Sequence, residues 1–121
     1  MELWQIIIII LIIPLSMIVF GFYMKRGGPK KINWWIGYRT RMSKKNKDTW
    51  TFAHVYCGKI WFLFGFVLSI LSIGAVILFE YESSLIWIAL AQLLVLMIPL
   101  ILTEIALRKK FDKNGEPRDN N

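Results

Sequence analysis

Apolar residues along this 121-residue chain are gathered into three long runs, Leu3 to Tyr23, Tyr56 to Phe79 and Ser84 to Leu107, with polar segments between them. Each run has roughly the 20 residues that an α-helix needs to cross a hydrocarbon core of about 30 Å. The pattern predicts an all-α membrane protein with three transmembrane helices and no room for a soluble domain. The first run reads as a retained helix rather than a cleaved signal. It has Glu2 where a basic n-region would stand, and "GFYMKRGG" offers no small-x-small cleavage site. "GGPKK" stops the first helix. Asn46 is a good N-cap with Asp48 behind it, so the second helix should start in the cytosol near Asn46, two or three turns before the membrane. The tail from about 111 to 121 lacks apolar periodicity and holds Gly115 and Pro117, and is expected to be disordered. No internal repeat is visible.

Composition agrees with the runs: 56% of residues are hydrophobic and the mean hydropathy is +0.51, well above a soluble domain of this size. Charge adds an orientation. Of fifteen Lys and Arg, nine fall between Lys25 and Lys47, one is Lys59 and five lie from Arg108 onward. The flanks Met1-Glu2 and Glu80 to Ser84 carry only acids. The positive-inside rule then places the N-terminus outside, and the first loop and the C-terminus in the cytoplasm. The net charge of +7 is thus a topological signal with a secondary attraction to membrane lipids, not a nucleic-acid signature. The lone Cys57 has no disulfide partner and reads as an apolar filler. No cofactor or metal site is expected.

Polar residues inside the runs mark inward faces. At about 100° per residue, Gln5, Ser16 and Tyr23 share one face of the first helix. On the second, His54, Gly58, Gly65, Ser69 and Ser72 form a stripe with Trp61 at its edge. Gln92, Pro99, Thr103 and Ala106 form another on the third. Small residues let backbones approach, so these stripes predict packing between helices or between copies in a homo-oligomer. Lys59 and Glu104 each lie three residues inside the cytoplasmic end of a span. They share one depth and could pair; the alternative is that Lys59 snorkels to the headgroups and Glu104 is simply interfacial.

The segment between the first two runs, "INWWIGYRTRMSKKNKDTWTFAH", combines aromatics with cations, and "NWWIGYRT" suits a stretch at headgroup level. "IGYRTRMSKKNKDTWTFAHVYCGKIWFLFG" resembles the signature of the SdpI family of small bacterial membrane proteins. The matching positions are Asn33, Gly37, Tyr38, Arg39, Thr40, Ser43, Asn46, Trp50, Ala53, His54, Gly58 and Gly65. The chain looks like the short form, expected to lack the extra N-terminal membrane portion of the family's namesake, and the resemblance implies a bacterial cell membrane. The resemblance implies resistance to a secreted toxic peptide and, in the namesake, capture of a cytosolic transcriptional repressor.

Independently of the resemblance, the planar fork of Arg39 suits a carboxylate or a lipid phosphate, with Glu104 as a candidate partner. The candidate site therefore comprises Asn33, Gly37, Tyr38, Arg39, Thr40, Asn46, Trp50, His54, Gly58, Lys59 and Glu104. Two other functions compete with the immunity and signalling reading. A membrane enzyme would use His54 with Ser43, Cys57 or Glu104, although general acid-base work needs a positioned partner and none stands near His54 in the chain. An oligomeric transporter or channel would need deeper polar residues than Gln92 and a few hydroxyls.

Overall fold

A computed structural model describes residues 1–33, 36–79 and 81–118. It contains three helices, α1 (Leu3–Lys25), α2 (Lys47–Leu78) and α3 (Tyr81–Lys110), each long and apolar enough to cross a membrane. Trp34 and Trp35, expected at headgroup level, and Glu80 of the acidic flank lie outside the described residues. Large apolar side chains such as Leu63, Ile70, Trp87 and Leu94 are more than half exposed around the bundle. A surface of that kind belongs in lipid.

Helix α2 begins where its cap predicts. Asn46 accepts a bond from Thr49 N–H (2.9 Å) and returns its own N–H to Thr49 Oγ1 (3.1 Å). Helix α1 opens on a comparable exchange, in which Glu2 N–H donates to Gln5 Oε1 (2.8 Å). The face of α1 expected to turn inward does not do so. Gln5 is spent on this cap, while Ser16 donates to Ile12 O of its own helix (2.7 Å) and stays exposed, as does Tyr23. With these polar atoms bonded locally, Gln5 and Ser16 need no inward partner. The buried face is instead Ile6, Ile10, Pro14, Met17, Gly21 and Met24.

The α2 stripe does form the seam. Gly58 lies against the backbone of Met24 and Lys25, Gly65 against Pro14 O and Ile18, and Gly21 of α1 meets Phe62 N, only 2.5 Å from where a Cβ would sit. Toward the other end of the bundle Pro14 has a second effect. Proline cannot donate to the carbonyl four residues back, and that carbonyl, Ile10 O, takes a bond from Gln92 Nε2 of α3 (2.6 Å). The same Nε2 donates to Ser72 Oγ of α2 (2.9 Å). Buried Gln92 thus pins all three helices in the half of the bundle away from the basic loop. On α3, Pro99 and Thr103 of the expected stripe are buried and Ala106 is half-buried.

Two further expectations are overturned. Lys59 and Glu104 do not pair: Lys59 is exposed, and the Glu104 carboxylate is held by hydroxyls of the loop. The loop reaches this carboxylate first, so a lysine free to extend outward gains little from being desolvated beside it. Nor is the tail shapeless as far as residue 118. Phe111 is buried edge-on to Phe52 (5.8 Å between centroids), and Asn46 Nδ2 donates to Gly115 O (2.7 Å). Asp112 accepts from the N–H groups of Asn114 (2.9 Å) and Glu116 (3.0 Å), which hold its carboxyl below the usual range. Its turn closes at Gly115 with φ 85°. Partners far away in sequence order this segment, which no local pattern announces.

The seam predicts a contrast between two glycines of α2. Gly58→Ala, forced against backbone, should cost about 2–3 kcal/mol of stability in detergent. Gly74→Ala meets nothing within 4 Å and should gain about 0.5–1 kcal/mol from helix propensity. Equal shifts in thermal unfolding would contradict the close approach of α1 and α2.

Candidate functional site

The connection from Arg26 to Asn46 folds back on the start of α2 around one side chain. His54 is fully buried. Its Nδ1 lies 2.8 Å from Trp50 O, and a carbonyl only accepts, so Nδ1 carries the proton. Its Nε2 lies 2.9 Å from Tyr38 N, and an amide only donates, so Nε2 is the acceptor. The imidazole is therefore neutral in a single tautomer, with neither nitrogen available for acid-base chemistry.

Two glycines make room for this contact. Gly37 has φ 101° and Gly28 has φ 66°, and a Cβ on either would collide with the His54 ring. Trp50 closes the other side at 4.3 Å between centroids, and its Nε1 donates to Pro29 O (2.8 Å). Asn33 sets the approach by accepting from Ile36 N (2.8 Å). Beyond Tyr38 the chain is braced by a reciprocal pair: Thr40 N donates to Ser43 Oγ (2.9 Å) and Ser43 N to Thr40 Oγ1 (3.1 Å). Thr49 Oγ1 then lies 3.0 Å from Ser43 O, tying this turn to the cap of α2.

The loop so held reaches α3. Tyr38 Oη lies 3.1 Å from Leu100 O and 3.2 Å from Glu104 Oε2, and Thr40 Oγ1 donates to the same Oε2 (3.1 Å). Burial, and after it the Glu104 carboxylate, push the Tyr38 hydroxyl far above its ordinary range. It remains a donor at any physiological pH. Trp61 Nε1 of α2 donates to Leu96 O (3.2 Å), fixing α3 from the other side.

Between these parts lies a cavity of about 600 Å³ lined by Phe20, Tyr23, Met24, Ile36, Gly37, Tyr38, Arg39, Thr40, Trp61, Leu100, Ile101 and Glu104. Its walls are mainly apolar, with a guanidinium and a carboxylate as the charges. Arg39 is exposed and, among the described residues, has no carboxylate within 4 Å. The expected Arg39–Glu104 partnership is thus absent as a direct ion pair, and Oε2 of Glu104 is bonded by Tyr38 and Thr40 instead. Among the described residues Glu104 Oε1 accepts no hydrogen bond, and no three His, Cys, Asp or Glu side chains gather as a metal site.

Most of the loop, the α2 side of the seam and the α3 wall up to the residue before Glu104 fall within one recognisable stretch: residues 30–103 match the sequence pattern of the SdpI/YfhL protein family. The chain belongs to this family. Membership, with three helices able to span a bilayer, makes it a multi-pass membrane protein of the immunity type. Comparison with curated proteins and with solved structures yields no match.

In this SdpI/YfhL member the expected site residues divide into groups. Asn33, Gly37, Asn46, Trp50 and His54 build the loop's support. Tyr38, Arg39, Thr40 and Glu104 face or line the cavity. Gly58 belongs to the helix seam, and Lys59 joins neither. Gly28, Pro29, Trp61 and Leu100 were not singled out for the site. The sequence signal for the first two is the run "GGPKK", since a Gly-Gly-Pro both stops a helix and supplies a left-handed corner.

The clamp predicts that His54→Leu, which leaves the Tyr38 N–H buried without an acceptor, destabilises by about 1–3 kcal/mol. His54→Gln, whose amide oxygen can take over the acceptor role, should recover part of that loss. Thermal unfolding of both variants in one detergent measures it, and indistinguishable variants would count against the hydrogen bond.

Proposed function

We propose that this protein confers resistance to a secreted toxic peptide by binding it in the cavity between α1, the loop and α3. The observation that carries this reading is the pairing of charges on the wall: Arg39 and Glu104 line one cavity but are not spent on each other. A peptide end or acidic side chain can engage the Arg39 fork bidentately, and an ammonium can engage the open Glu104 Oε1. Apolar side chains of the same peptide fill the space beside Phe20, Ile36, Trp61 and Ile101. A toxin already partitioned into lipid reaches the cavity sideways, past the exposed Phe20 and Ile101.

In this reading the N-terminus is outside and the loop and tail are cytoplasmic, following the distribution of Lys and Arg. The cavity then sits near the inner membrane surface, within reach of a peptide that has entered the bilayer. Recognition by fixed charges in a partly apolar wall favours specificity over raw affinity. The protein acts by sequestration and needs no bond-making chemistry.

The test is survival of a sensitive host that expresses the chain and is challenged with the toxic peptide, with membrane levels measured alongside. A reporter fused after Lys110 should lie inside. Arg39→Gln and Glu104→Gln should each reduce the tolerated toxin concentration about tenfold or more, as expected when one charged hydrogen-bonding group of a recognition site is lost. Lys59→Met, outside the cavity, should protect like the parent. Full protection by both cavity variants, at normal levels, would rule out this cavity as the binding site.

A further inference from the structure

A second cavity, of about 360 Å³, lies where the loop, the end of α3 and the folded tail meet, and is lined by Arg41, Met42, Lys45, Arg108, Lys113 and Asn114. Four of its six lining residues are cations and none is an acid. Among the described residues, no carboxylate comes within 4 Å of any of the four. Like charges gathered from three separate segments repel one another, and among the described residues no ion pair offsets that repulsion.

The arrangement is built rather than incidental. The tail carries Lys113 and Asn114 into place only because Phe111 is buried against Phe52, Asn46 holds Gly115 O, and Arg118 N–H returns to Lys110 O (2.9 Å). The loop carries Arg41 and Lys45 into place through the Thr40–Ser43 pair and the turn bond from Lys44 N to Thr40 O (3.2 Å). One unfavourable partial charge nearby is also masked. Arg118 Nε donates to Arg108 O (2.8 Å), covering a carbonyl at the negative end of the α3 dipole.

We propose that this cavity binds the phosphate of an anionic membrane lipid. Several features select a lipid rather than a soluble phosphate. Arg108 lies in the last turn of a helix long and apolar enough to span a bilayer, so the cavity adjoins the plane where headgroups lie. Met42 gives the lining an apolar element that glycerol and the first acyl carbons can cover. Two arginines and two lysines suit a phosphate diester, which accepts from a planar fork and from ammonium groups at once. A basic pocket beside membrane-spanning helices is a recognised form of headgroup site. The occupied cavity would lock the tail onto the loop, since the phosphate bridges Arg41 and Lys45 to Arg108 and Lys113. This inference is independent of the toxin reading, because neither its residues nor its ligand are shared with the larger cavity.

The experiment is native mass spectrometry of the full chain released from detergent, with phosphatidylglycerol, phosphatidylcholine and inorganic phosphate as probes. The parent protein should retain phosphatidylglycerol in preference to phosphatidylcholine, and millimolar inorganic phosphate should not displace it. Removing two cations together, Arg41→Gln with Lys113→Gln, should weaken phosphatidylglycerol retention about thirtyfold. Lys30→Gln with Lys31→Gln removes the same charge from the loop outside the cavity and should weaken it no more than about twofold. Arg41→Lys with Arg108→Lys keeps the charge and should retain most binding, which separates loss of the site from loss of the fold. Equal weakening by the two double glutamine variants would reduce the effect to general charge and overturn the proposal. Equal retention of both lipids, or displacement by inorganic phosphate, would overturn it as well.

Discussion

A single hydrogen bond, from the buried Tyr38 N–H to His54 Nε2, is the constraint on which the basic end of this protein depends. Backbone groups in a loop of this length ordinarily turn to water, but this one must lie against a helix in a region poor in water. An unmade bond there would cost the desolvation of the amide, so the acceptor has to come from a side chain. His54 supplies it and is itself satisfied by Trp50 O, and among the described residues no buried side-chain polar atom is left without a partner. Once Tyr38 N is fixed, its side chain can reach only toward α3. Through Tyr38 and Thr40 the loop then meets Glu104, and the geometry of the cavity follows.

The two ends of the bundle are solved by different means. Away from the loop, close packing and one amide suffice, because Pro14 leaves Ile10 O free and Gln92 takes it while bonding Ser72. At the loop end the same three helices are joined indirectly, through side chains that descend from the connection between α1 and α2. The first arrangement gives a close contact between the helices. The second leaves space, and Arg39 and Glu104 stand on the wall of that space with charge still available to a ligand.

Much of this fold was legible in the sequence because the membrane makes strong demands. Three runs of about the right length gave three helices, and Asn46 capped α2 where expected. The stripe of Gly58 and Gly65 became the seam because helices in lipid associate through small residues. What escaped depends on partners remote in the chain. Gln5 and Ser16 looked like an inward face yet bond within their own helix. Glu104 looked like a partner for Lys59 or Arg39, whereas its Oε2 bonds the loop hydroxyls of Tyr38 and Thr40 and it forms no ion pair with either cation. The tail looked disordered because nothing in "KKFDKNGEPRDNN" shows that Phe52 and Asn46 wait to receive Phe111 and Gly115. Gly28 was hidden in a helix stop, since its task becomes visible only when the His54 ring stands beside it. The motif residues were thus found more readily than their roles. Asn33, Gly37, Asn46, Trp50 and His54 support the loop, whereas Tyr38, Arg39, Thr40 and Glu104 face the cavity.

His54 is the one histidine of the chain, which makes the central contact directly observable. Nitrogen NMR of the ¹⁵N-histidine-labelled protein in a membrane mimetic at neutral pH reports the protonation of each ring nitrogen. A neutral ring is predicted, with the proton on Nδ1, a bare Nε2, and a coupling across the hydrogen bond from the Tyr38 amide to Nε2. A ring protonated on Nε2, or a doubly protonated imidazolium, could not accept from Tyr38 and would contradict the account of how the loop is held.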